Sequence, residues 1–231
     1  MSTGPRAQRR DDISQRIIEI GRVHLTERGA AALSLRAVAR DLGMVSSAVY
    51  RYVADRDALL TLLVVDAYDE VGDLVDMTLV RESRRRWDSR LLAISQTVRE
   101  WALAEPARYA LLYGSPVPGY AAPAEVTVAP GTRIVLALLA LLAEGVAVGD
   151  VHCDGSVPLP RGLGKDLRRI SRELQLDLAE AVLGRGVLFW STMFGAISLE
   201  VFGQLGGESF TEPALLFDHQ IRLAITTLRG D

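Results

Sequence analysis

The side chains of this chain best equipped for polar chemistry outside a core are crowded into one short stretch. In "SLRAVARDLGMVSSAVYRYVADRDALL", residues 34–60, Gly43 is followed closely by Ser46, Ser47, Tyr50, Arg51 and Tyr52. Hydroxyls, phenols and a guanidinium at helical spacing can hydrogen-bond to phosphate oxygens and to base edges, and the start of a helix favours an anion. Arg36 before the glycine and Arg56 after the stretch have the reach to touch phosphates as well. The same residue types also make up an ordinary solvated helix face, so composition by itself leaves both readings open.

Such side chains must be held out by short, well-anchored helices, and the spacing supplies them. Ser34 is placed to cap a helix running to Leu42, with Leu35, Val38, Ala39 and Leu42 as its inner face. Gly43 breaks it. A second short helix runs from Val45 or Ser46 to Val53, with Ala48, Val49 and Val53 turned inward. Ile13, Ile17, Ile20 and His24 form the seam of an earlier helix that ends near Arg28 and Gly29. Asp55 caps a long later helix whose seam is Leu60, Val64, Ala67, Val71 and Leu74. Two short helices around a tight turn, behind a longer one, are a helix-turn-helix, whose second helix enters the DNA major groove.

These residues carry a resemblance. "LSLRAVARDLGMVSSAVYRYVADRDALL" is similar to the DNA-binding domain of the TetR family of bacterial transcriptional regulators, in the "AVAR" of its first short helix, the glycine and tyrosine at Gly43 and Tyr50, and the "DRDALL" that opens the long helix. The resemblance implies that Arg36, Ser46, Ser47, Tyr50, Tyr52 and Arg56 stand at DNA-contacting positions. Two departures matter. Val45 stands where a capping residue is common, which moves the expected cap to Ser46, and neither Ser46 nor Ser47 is a basic or amide side chain that would read a purine. The operator sequence is therefore not legible.

The remainder of the chain has a different character. Of the net charge of −3, residues 1–60 hold ten Arg against seven Asp and Glu, a balance of +3, and the rest holds −6. A basic head on an acidic body fits a head that meets a polyanion. Helical periodicity continues through Trp87–Glu105, Pro106–Tyr113, Ile134–Val148, Lys165–Leu183, Val187–Gln204 and Pro213–Leu228, with proline-rich connections at Gly114–Gly131 and Gly149–Gly164. The expected fold is all-α, with a flexible tail over 1–12, a helix-turn-helix domain over 13–58 and a helical ligand-binding and dimerisation domain over 59–231. No uninterrupted apolar run approaches the ~20 residues of a membrane span, the basic N-terminus lacks an apolar signal region, and one cysteine excludes an intrachain disulfide. The expectation is a soluble, cytoplasmic protein with no membrane partner.

The segments "EPARYALLYGSPVPGY" and "FWSTMFGAISLEVFGQL" resemble a C-terminal subtype of the same family. That implies a homodimer on a palindromic double-stranded operator, with half-sites ~34–36 Å apart, and release by a small hydrophobic effector. Candidate effector contacts are the aromatics Trp101, Tyr109, Tyr113 and Tyr120 with Met193 and Phe194; plain core is the competing reading for each. Candidate dimer contacts are Trp190, Ser191, Gly195, Ser198 and Phe202 on one helix and Phe217, Ile221 and Leu228 on the last, against intrachain packing. The chain shows no hydrolase, metalloprotease or phosphate-loop motif, its three histidines are scattered, and the adjacent His152, Cys153 and Asp154 have poor geometry for one ion. No catalytic residue, metal or cofactor is expected. A repressor is the leading reading, an activator of the same fold the alternative, and a helical ligand-binding module or enzyme without DNA the more distant one.

Overall fold

The structure is a computed structural model that describes residues 5–152, 157–206 and 209–230, so Cys153 and Asp154 lie outside the described residues. Among the described residues it is built from helices alone: α1 (Pro5–Arg28), a 3-10 turn (Ala30–Ala32), α2 (Leu35–Asp41), α3 (Ser46–Val49), α4 (Arg56–Arg81), α5 (Trp87–Ala104), α6 (Pro106–Tyr113), α7 (Ala124–Ala147), α8 (Arg161–Glu173), α9 (Glu180–Val201) and α10 (Pro213–Arg229). The chain divides into two compact units, Met1–Val71 with Ala104–Gly131, and Gly72–Leu103 with Thr132–Asp231. The first unit is thus larger than the head drawn from sequence. It takes in the first half of α4 and all of α6.

In the first unit the core is the convergence of the four expected seams. Ile17 and Leu25 of α1, Leu35, Val38 and Ala39 of α2, Val49 of α3, and Leu59, Leu60 and Leu63 of α4 are buried together, with Leu111 of α6, Val117 and Tyr120 packed against them. α1 begins at Pro5, inside the stretch expected as a tail. Gly21 lies where α1 meets α4: an added Cβ would stand 3.2 Å from a Leu63 methyl. Thr61 and Tyr120 join their hydroxyls at 3.1 Å and tie the loop after α6 to α4.

The second unit is a helical body whose centre is Leu91, Ile94 and Val98 of α5, Ile134, Leu141 and Leu142 of α7, Val182, Phe189, Met193 and Ile197 of α9, and Phe217, Ile221 and Leu228 of α10. α9 and α10 pack along their length. Three features differ from the periodicity reading. α7 starts at Ala124 and carries Pro130 inside it, although four prolines had marked Gly114–Gly131 as loop. A proline removes one backbone donor, and the apolar run that follows holds the helix together despite that loss. The expected helix over 165–183 is instead two, because the chain turns at Leu174–Ala179 with Gln175 in the left-handed region at φ 54°. Lastly, α7 and α9 are each long and apolar enough to cross a membrane by length and composition, where uninterrupted runs had suggested none. Arg133 and Glu144 interrupt the run without spoiling the average; Leu138, Leu139, Leu141 and Leu142 of α7 are buried, while Val126, Val128 and Leu136 are exposed.

One contact of this unit gives a test of its packing. The Trp87 indole donates to Asp150 Oδ2 at 2.9 Å, which fixes the ring, and α7 passes it at Gly145. A Cβ at Gly145 would sit 2.8 Å from both the Trp87 ring and a Val151 methyl, two groups that are each 3% exposed. Gly145→Ala is therefore expected to lower stability by about 1–2 kcal/mol, because overpacking outweighs the ~1 kcal/mol that alanine adds to a helix interior. Urea unfolding followed by circular dichroism measures it; an increase in the midpoint would refute the close approach.

Candidate nucleic-acid interface

The α2–α3 corner is held by backbone geometry that the sequence anticipated. Ser34 is the N-cap of α2 in extended conformation, although its side chain makes no capping bond, and Gly43 takes φ 68° after α2, while the Met44 amide donates to the Ala39 carbonyl at 2.9 Å. α3 starts at Ser46 with Val45 as its N-cap and no side-chain capping bond, so the cap does not move to Ser46. After Val49 the backbone tightens, with the Arg51 and Tyr52 amides donating to Ala48 and Val49 carbonyls, three residues back. Asp55 does cap α4: its Oδ1 accepts from the Ala58 amide at 2.8 Å.

Anchored on buried Val49 and Val53, the corner presents Arg36, Ser47, Tyr50 and Arg51 exposed and Ser46 and Tyr52 half-buried. Tyr50 is 46% exposed, large for an aromatic on a helix with an apolar core beneath it. Tyr52 also packs on the core of this unit. Arg56 is placed differently from the other candidates. Its Nη2 donates to the Ala30 carbonyl at 3.0 Å and the Ala31 carbonyl at 3.4 Å, so it ties the start of α4 to the turn after α1.

Two polar links missed by periodicity brace the corner from behind. His24, read as part of an apolar seam, is buried and meets Asp41 Oδ2 through Nε2 at 2.7 Å, joining α1 to the end of α2. That hydrogen bond, with a lesser one from Arg40, holds the Asp41 carboxyl below its usual range. Deeper in the unit, Arg108 of α6 is 1% exposed and binds Glu70 Oε1 at 2.8 Å and Asp66 Oδ2 at 3.1 Å, while Arg22 of α1 clasps Asp66 through two bonds of 2.7 Å. The Asp66 bonds raise the Arg22 guanidinium further above its ordinary value. An Arg inside an apolar-looking helix gave no sign of this in sequence; only its acidic partners on another helix explain it.

The effector candidates are not brought together. Tyr109 is fully buried beside Tyr113, ring centroids 5.2 Å apart, and Tyr113 meets Tyr68 edge-on at 6.2 Å, all within the first unit. Burial pushes the Tyr113 hydroxyl far above its usual value. Trp101, Met193 and Phe194 are core residues of the second unit. One cavity of that unit, about 330 Å³, is lined by none of the six; its walls come from α5, α7, α8, α9 and α10 and include Trp190, which the sequence had assigned to the dimer face. The dimer candidates separate as well. Ser191, Gly195 and Phe202 are exposed and Trp190 and Ser198 half-buried on α9, whereas Phe217, Ile221 and Leu228 are 2%, 0% and 2% exposed, inside the protomer core. On α10 it is Leu215 and Leu223 that face solvent, at 63% and 55%. Among the described residues no three His, Cys, Asp or Glu side chains are grouped to hold a metal ion.

Comparison with known proteins decides the family. Residues 91–224 match the family described as tetracyclin repressor-like, C-terminal domain, which is more than half of the chain. The chain belongs to the TetR family. It is 47% identical over 225 residues to the HTH-type transcriptional regulators Rv1816 of Mycobacterium tuberculosis (strain ATCC 25618 / H37Rv) and Mb1846 of Mycobacterium bovis, covering 97% of this chain and 96% of each relative. Among solved structures it is similar to the regulatory protein SCO4313, with TM-score 0.78 and 29% identity over 96% of this chain and 100% of that one. A TetR family transcription regulator from Marinobacter aquaeolei VT8 shares the fold at TM-score 0.62 and 19% identity, covering 95% and 97%. This TetR-family chain is a DNA-binding transcriptional regulator.

Proposed function

We propose that the protein is a cytoplasmic repressor that binds a palindromic operator as a homodimer and leaves it when a small hydrophobic molecule occupies the second unit. The single observation that supports the DNA contact is the α2–α3 corner: Val49 and Val53 fix it from within while Arg36, Ser47, Tyr50 and Arg51 stand exposed on it. Exposed hydroxyls and cations on a rigid helix are what phosphate positioning and base contact need. Arg56 serves in this reading by holding the turn after α1, not by touching DNA. An effector releases the operator only through unequal affinity for the DNA-bound and free forms, so its binding must favour one arrangement of the two heads. A gel-shift series against the chain's own upstream DNA tests the reading. Affinity is expected to fall steeply and linearly in log–log form with salt, as phosphate contacts demand; binding that ignores salt would reject it.

The dimer in this reading is formed by the outer faces of α9 and α10. Leu188, Gly195, Leu199 and Phe202 along α9 and its C-cap and Leu215 and Leu223 on α10 leave an apolar surface unburied in the protomer. Such a face, repeated by a two-fold axis, makes a four-helix interface. Gly195 lies at its middle with nothing within 4 Å of an added Cβ, so a side chain there points into space in the isolated protomer. Gly195→Arg is expected to leave the protomer folded, raise the dimer dissociation constant at least ~100-fold by burying an unpaired charge, and weaken operator binding with it. Analytical ultracentrifugation at micromolar concentration reads this directly, and a fully dimeric variant would move the interface elsewhere.

A further inference from the structure

The cavity of the second unit has a wall chemistry that selects among ligands. Leu139 and Leu142 of α7, Leu167 of α8, Leu183 and Phe189 of α9 and Leu228 of α10 form its buried floor and sides, each less than a tenth exposed. Its mouth lies between α8 and α9, where Ile170, Leu174 and Val187 line it while remaining 36%, 38% and 55% exposed. Every lining residue is apolar apart from the indole N–H of Trp190, whose ring rests on Phe194 with centroids 4.2 Å apart. Apart from Leu174, just past the end of α8, and Leu228, in the last turn of α10, the lining residues lie within helices, where backbone polar groups pair with one another. Of the cations adjacent in sequence to lining residues, Arg90 pairs with Glu144 at 2.6 Å, Arg168 with Glu180 at 2.5 Å, Arg169 with Glu173 at 3.0 Å and Arg229 with Asp88, while Arg185, which donates through Nη2 to the His152 carbonyl and leaves its buried Nε and Nη1 unbonded among the described residues, is not a lining residue. The turn between α8 and α9 is tied by Ser171, whose hydroxyl donates to the Leu176 carbonyl at 2.6 Å and lies 3.2 Å from that of Leu178.

Most small-molecule sites pair apolar walls with several placed polar groups; here one indole is the whole polar complement. An ion carried into such a site loses its water and gains no partner. A ~150 Å³ apolar cavity suffices for benzene, so about 330 Å³ accommodates roughly two or three rings or an equivalent chain. We infer that this cavity binds an uncharged, almost wholly hydrocarbon molecule of two to three rings, with at most one hydrogen-bond acceptor for Trp190, and rejects carboxylates, sulfonates and phosphates. This rests on the effector reading above for its role, but not for its binding.

A matched pair of fluorescent probes separates the possibilities: N-phenyl-1-naphthylamine and its sulfonated counterpart, 8-anilinonaphthalene-1-sulfonate, added to the full-length dimer without DNA. The neutral probe is expected to saturate one site per chain, and the sulfonate to bind that site at least ~30-fold more weakly. Val135→Trp, which extends a half-buried lining position of α7 into the cavity, and Leu174→Trp at the rim are each expected to weaken the neutral probe at least ~10-fold. The melting temperature of each variant is measured first, and the one closer to the parent decides the result. The inference falls if the sulfonate binds within threefold of the neutral probe in a manner that Val135→Trp or Leu174→Trp abolishes, or if neither folded variant weakens the neutral probe. The operator is added only afterwards. If the saturated protein still holds operator DNA, release by an effector is refuted while the ligand class of the cavity stands.

Discussion

Replacing Arg36 and Tyr50 together by alanine is expected to cut operator affinity by roughly 30- to 1,000-fold while leaving the fold untouched. Both side chains are exposed on the α2–α3 corner, and neither has a side-chain hydrogen bond or ion pair among the described residues. Truncation therefore takes nothing from the protomer, and surface changes of this kind shift stability by less than about 0.5 kcal/mol. In the complex each loses contacts to phosphate, one of them charge-assisted, worth together about 2–4 kcal/mol. Removing Arg36 should also lower the slope of log affinity against log salt by about 1, whereas Tyr50→Ala alone should leave that slope nearly unchanged. Fluorescence anisotropy over a salt series measures both quantities. A double variant that binds operator as tightly as the parent, with the same slope, would end the assignment of this corner to DNA.

Arg108→Met is expected to be the most damaging single exchange in the first unit. The arginine is 1% exposed and satisfies Asp66 and Glu70 of α4, with Glu105 3.7 Å away across the start of α6. Taking away the buried guanidinium leaves Asp66, 14% exposed, short of a partner, while Glu70 and Glu105, 34% and 40% exposed, are partly screened by water, so the loss is expected at about 2–3 kcal/mol, at or below the low end for fully buried pairs. Arg22 still reaches Asp66 and Glu70, at 2.7 and 3.2 Å, and moderates the loss without replacing a guanidinium inside the core. For a chain of this size the melting temperature should drop by roughly 4–12 °C. Lysine should recover only part of it, since a single ammonium cannot serve two carboxylates in the forked geometry that Arg108 uses. The decisive comparison is Arg108→Met against the same change combined with Asp66→Asn and Glu70→Gln. If the acids are the cause, the triple variant is the more stable of the two; if it is less stable, the cluster is a minor term.

The head was legible because its signals are local. The α1 seam of Ile13, Ile17 and Ile20, the extended cap at Ser34, the left-handed glycine at Gly43 and the capping carboxylate of Asp55 each act within a few residues, and each stands where the spacing placed it. Where local rules conflict with packing, packing won. Pro130 and its neighbours read as loop, yet they lie in α7, and one periodic stretch over 165–183 is two helices because Gln175 turns the chain.

What sequence could not rank was one apolar face against another. The aromatics Tyr109, Tyr113 and Tyr120 have the composition of a ligand pocket, but they pack within the first unit, while leucines that look like any core residue enclose the cavity. Phe217, Ile221 and Leu228 have the stripe of a dimer face, and they point into their own protomer. A hydrophobic stripe says that a face is buried without saying against what. Arg56 likewise had the reach for phosphate and instead holds two carbonyls of the turn after α1.

The amino-acid order by itself determined the all-helical class, the short α2 and α3 on either side of Gly43 and the family, because caps, turns and helical seams depend on neighbours a few positions away. The tertiary structure alone decided which apolar residues enclose space, which remain at the surface and which carboxylates meet Arg108. Those outcomes depend on side chains brought together from helices far apart in the chain, and nothing in local spacing encodes that distance.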